Sequence, residues 1–86
     1  MFAVIGRFCY KKYKNNNIEY VKNIFDYVEN LYVKDKMLDL SITTGFIEAF
    51  VNRFENIDDA FSIANTMPPN LKKYALEYLN GIWNEN

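Results

Sequence analysis

Apolar residues recur every three or four positions along most of this chain, interrupted by short polar breaks, and that rhythm predicts helices. The clearest helix runs over 18–34. At about 100° per residue, Ile18, Val21, Ile24, Phe25, Val28, Leu31 and Tyr32 fall on one side of it. Tyr20 and Tyr27 flank that side, while Glu19, Lys22, Asn23, Asp26, Glu29 and Asn30 fill the rest. So wide an apolar arc predicts neighbours on two sides. Upstream, Phe2, Ile5, Phe8, Cys9 and Tyr13 share a face, predicting a helix over 2–13. The run "NNN" at 15–17 breaks it, and Asn17 has the chemistry of an N-cap for the next helix.

The third predicted helix, 36–54 with Asp35 as its N-cap, is apolar over most of its circumference. Leu38, Leu40, Ile42, Phe46, Ile47, Ala49, Phe50, Val51 and Phe54 point in many directions. Its one polar strip is Ser41, Thr44, Glu48, Asn52 and Glu55. A helix apolar nearly all round belongs at the centre of a fold. A fourth, short helix covers 57–67, with Ala60, Phe61, Ile63 and Ala64 inward and Asp58 and Asp59 at its positive N-terminal end. Pro68 and Pro69 stop it, and Pro69 suits the first turn of a fifth helix, where no N–H partner is needed. That helix extends to Trp83 with Leu71, Tyr74, Ala75, Tyr78, Leu79 and Ile82 on the same face as Trp83. The expected architecture is all-α: a single domain over 1–86, arranged as a five-helix orthogonal bundle or a short stack of helical hairpins around the helix 36–54.

Gly45 sits inside that central helix, after the β-branched Thr43 and Thr44. A helical glycine costs about 1 kcal/mol relative to alanine. Ser41, Gly45 and Ala49 stand four apart on one ridge, and small residues there let another helix approach closely. The neighbour expected from the pattern is the second or the fifth helix, with an outside helix or loop as the alternative.

Composition narrows the picture. A chain of 86 residues is marginal unless its core is rich, and this one is half hydrophobic and 17% aromatic. Three glycines and two prolines are too few for a turn-rich β-sandwich or barrel. No apolar run approaches the ~20 residues needed to span a bilayer. The start "MFAVIGRFCYKKYK" lacks the basic flank and small-residue cleavage site of a signal peptide. A single cysteine rules out an internal disulfide framework, so nothing requires an oxidising compartment, and a cytoplasmic protein is expected.

Candidate chemistry is sparse. There is no histidine, which removes the commonest general base and metal ligand together. Cys9 lies on an apolar face without an activating partner and reads as a core residue. Asp35 with Asp39, and Glu55 with Asp58 and Asp59, have spacings compatible with acid–base work, but solvated helix-end acids are the commoner use. The expectation is no enzyme, no catalytic residue, no metal and no cofactor.

Charge is more informative. The net charge of −1 hides an asymmetry: residues 1–14 carry Arg7, Lys11, Lys12 and Lys14 and no acid, whereas the remainder carries six bases and all eleven acids. The basic start, interleaved with Tyr10 and Tyr13, offers cations and stacking rings to a single strand. The acidic remainder opposes phosphate approach and argues against nucleic acid. The acidic side points instead to a partner protein. Glu48, Asn52, Glu55 and Asp59 follow helical spacing if the line continues past the helix, and Asp58 adds to them. Tyr20 and Tyr27 are candidate aromatic anchors beside that strip; the ordinary alternative is a solvated face with half-buried tyrosines.

The segments "IFDYVENLYVKDKMLDLSITTGFIEAFVN" and "PPNLKKYALEYLNGIW" resemble small all-helical bacterial immunity proteins of contact-dependent growth inhibition and related polymorphic toxin systems. The resemblance covers about 24–83 and lies in an acidic helix at 24–31, a "TGFIEA" box at 44–49, and a "PNLKK" turn into a helix ending at Trp83. It implies a non-enzymatic inhibitor that binds one cognate toxin, commonly a nuclease with a basic surface, and occludes its active site inside the producing cell. The partner-binding residues would then be Glu48, Asn52, Glu55, Asp58 and Asp59, with Tyr20 and Tyr27 as anchors. The alternatives are a general helical protein–protein interaction or adaptor domain and a small nucleic-acid-binding regulator using Arg7, Lys11, Lys12 and Lys14. A monomer or homodimer fits any of these.

Overall fold

The first two helices are joined by a turn that the sequence itself specifies. In the computed structural model, which describes residues 2–35, 37 and 41–83, helix α1 spans Phe2–Lys14 and α2 spans Ile18–Lys34. Asn16 takes the left-handed conformation (φ 63°), which asparagine tolerates better than most residues. The Asn16 N–H donates to the Tyr13 carbonyl and the Asn17 N–H to the Lys12 carbonyl, both at 3.0 Å. This pair of bonds closes α1 in the glycine-type C-terminal motif, with asparagine in the glycine position. Asn17 then caps α2, its side-chain oxygen accepting the Tyr20 N–H at 3.4 Å. So short a connection forces α1 and α2 to lie side by side.

Helix α3 contains a π-helical stretch, Ile42–Ile47, and continues as regular α-helix over Glu48–Val51. The i→i+5 bonding of the first stretch accommodates about one extra residue, and it falls on Thr43, Thr44 and Gly45, a run with weak α-helical preference. The expected start at Lys36, and Leu38, Asp39 and Leu40, lie outside the described residues, as do the side chains of Thr43 and Thr44. At the other end the helix is three residues shorter than the expected bound at Phe54. The helix stops at Val51, Asn52 closes it, and Phe54 belongs to the following turn. Asp35 closes α2 by donating its N–H to the Leu31 carbonyl at 3.0 Å, while its carboxylate accepts the Met37 N–H. Helix α4 spans Ile57–Ala64, capped by Asn56, whose side chain accepts the Asp58 N–H at 2.8 Å; it ends three residues before Met67. Helix α5 spans Pro69–Trp83; the side chains of Ile82 and Trp83 lie outside those described.

The architecture is an all-α bundle of five helices, with no strand among the described residues. The Cα radius of gyration is 11.9 Å, and about 12 Å is expected for one compact domain of this length. Helix α3 is central, with Ile42, Phe46, Ile47, Phe50 and Val51 all buried. Around it runs an aromatic chain. Phe25 of α2 meets Phe46 and Phe50 edge-on at 6.3 and 5.6 Å, and Phe54 receives Tyr10 and Tyr13 of α1 at 5.0 and 4.9 Å. Each such pair adds roughly 0.5–1.5 kcal/mol beyond area burial. Val21 and Val28 from α2, Ala60, Ile63 and Ala64 from α4, and Leu71, Ala75 and Leu79 from α5 join the same core.

Two contacts fix how the helices meet. The first is the seam between α1 and α3, the most extensive among the described residues. A Cβ at Gly6 would stand 2.7 Å from the Phe46 carbonyl oxygen and 3.0 Å from the Ala49 Cβ; one at Gly45 would stand 2.9 Å from the Phe2 Cβ. Each glycine admits the other helix's chain, so the close neighbour of Gly45 is α1, and the expectation of the second or fifth helix is corrected. The second contact is Glu29, placed by its pattern on the solvated side of α2. Its Oε2 accepts from the Asn70 N–H (3.1 Å) and the Asn70 Nδ2 (2.9 Å), and its Oε1 accepts from the Leu71 N–H (3.1 Å). Pro69 has no N–H to offer, so Glu29 satisfies the next two amides of α5 and places a carboxylate at the positive end of that helix.

Candidate functional site: two grooves beside the first helix

Helix α1 has a groove along each flank. Ala3 and Arg7 line one, with Gly45, Glu48, Ala49, Asn52 and Arg53 across from them; it holds about 310 Å³. Ile5 and Phe8 line the other, facing Tyr20, Asn23, Ile24 and Tyr27 of α2, with a similar volume of about 300 Å³. At about 100° per residue, positions 3 and 7 lie on the opposite side of α1 from 5 and 8. The two grooves are therefore separate surfaces.

This geometry sorts the residues expected to bind a partner. Glu48 and Asn52 come together in the α1–α3 groove, but Arg7 and Arg53 stand there too, so Glu48 belongs to a mixed-charge surface. The Asn52 side-chain oxygen accepts the Tyr78 hydroxyl at 2.9 Å. The Tyr78 phenol is held above its ordinary pKa, chiefly by burial; the Asn52 bond opposes that shift and the nearby Glu48 charge adds to it. Glu55, Asp58 and Asp59 are exposed, Glu55 in the α3–α4 connection and the two aspartates in the first turn of α4. The helical line through Glu48, Asn52, Glu55 and Asp59 is broken, because α3 ends at Val51. Tyr20 and Tyr27 are both exposed and lie in the other groove, with α1 between them and Glu48.

Three participants were not singled out from the sequence: Arg7 and Arg53 as neighbours of Glu48, and Tyr78 as the partner of Asn52. The small residues at 3, 6, 45 and 49 were the available signal, since two helices that both carry them approach closely and bring their flanking side chains together. Two of the N-terminal cations lie on different flanks of α1. Arg7 faces the α1–α3 groove, whereas the Lys12 Nζ lies 5.2 Å from the ring centroids of both Phe8 and Tyr20.

Conventional chemistry finds little footing among the described residues. Cys9 is fully buried and its thiol is pushed up to about 12 by that burial, so it is held in the unreactive protonated form. Among the described residues no group of three or more Cys, Asp or Glu is arranged to hold a metal ion. No described helix is long and apolar enough to cross a membrane.

Fold and surface thus define a small all-α bundle with two open grooves. The chain belongs to the family described as a domain of unknown function, DUF7674, whose pattern it matches over residues 1–84. No curated protein and no solved structure matches it significantly.

Proposed function

We propose that this protein is a non-enzymatic immunity protein that works in the cytoplasm of the producing cell, binding a cognate bacterial toxin and occluding its active site. The observation that carries the reading is the acid at the α3–α4 connection. Glu55, Asp58 and Asp59 are all exposed, and between residues 48 and 59 the four acids face a single base, Arg53. An exposed acidic turn on a rigid bundle steers a basic surface into register, and the substrate groove of a nuclease is such a surface. Occlusion needs no catalytic group on the inhibitor. In this reading Glu48 and Asn52 add to the contact from the α1–α3 groove, which Arg7 and Arg53 also line. The resemblance at 24–83 supplies the toxin; the acidic turn supplies the physical means.

The test is direct. The gene should lie immediately downstream of a large toxin gene, the two purified products should bind, and growth with that toxin should require this protein. Reversing charge at Glu55, Asp58 and Asp59 to lysine should weaken binding and make it less salt-dependent. Unchanged affinity removes the acidic turn from the interface. The absence of a toxin neighbour, or a purified pair that does not bind, ends the reading. The second reading, a general helical adaptor, is favoured by the aromatic groove between α1 and α2.

A further inference from the structure

We draw no further inference here: the strongest candidate, the groove between α1 and α2 where Phe8, Tyr20 and Tyr27 stay exposed, is an unpartnered apolar face, and nothing in the structure shows what covers it.

Discussion

The two flanks of α1 are built on opposite terms. Toward α3, Gly6 and Gly45 remove the side chains that would separate the helices, and backbone meets backbone. Toward α2, Phe8 and Tyr20 meet edge to face at the surface and leave a trough. One flank has no room for a methyl group; the other has room for another molecule. Side-chain size at a few positions on one helix decides which seam is structural and which is available.

Substitutions probe this contrast, and the largest effect should come from Gly6→Leu. The added side chain meets the Phe46 carbonyl and the Phe50 N–H, which cannot move aside as a flexible side chain does, and overpacking should cost about 3 kcal/mol or more in urea unfolding. A variant as stable as the wild type would show that the seam is looser than its geometry. Next is Glu29→Ala, at the other locked contact. Removing a carboxylate that accepts three hydrogen bonds should cost about 2 kcal/mol and expose the first turn of α5 to faster amide exchange. Gly45→Ala should be milder, a loss of about 1 kcal/mol, because its obstacle is the Cβ of Phe2 at the first turn of α1. Gly81→Ala provides the opposite sign: among the described residues nothing lies within 4 Å of the new methyl group, so the variant should gain about 0.5–1 kcal/mol from helix preference alone. On the open flank, Tyr27→Ala should change stability by less than about 0.5 kcal/mol. A large stability loss there would mean that the groove is part of the core.

What could be read in advance follows the same division. The spacing of Val21, Phe25 and Val28 marked the buried side of α2, and Leu71, Ala75 and Leu79 marked that of α5; all six are buried. Asn17 was legible as a cap and Pro69 as a helix start because those roles depend on the residue's own chemistry within one turn. Gly45 was legible as a close-packing position, but its partner was not, because periodicity locates an apolar face without saying which helix covers it. The acidic strip failed as a line because helical spacing was continued through Asn52 and Arg53, where the chain turns. The tyrosines were expected beside that strip, and α1, packed between, sets them apart.

The sequence by itself determined the helical class, the buried faces, the asparagine breaks and the acid-rich character of the segment after α3. Those properties arise from neighbours within a few residues, where 3.6-residue periodicity and capping act. Only the tertiary structure decided that Gly6 and Gly45 close the same seam, that Glu29 serves the N-terminus of a helix 41 residues away, and that Glu48 sits with Arg7 and Arg53 while Tyr20 and Tyr27 line a different groove. These depend on how whole helices are oriented against one another, and a pattern along one chain segment carries no record of which other segment it will meet.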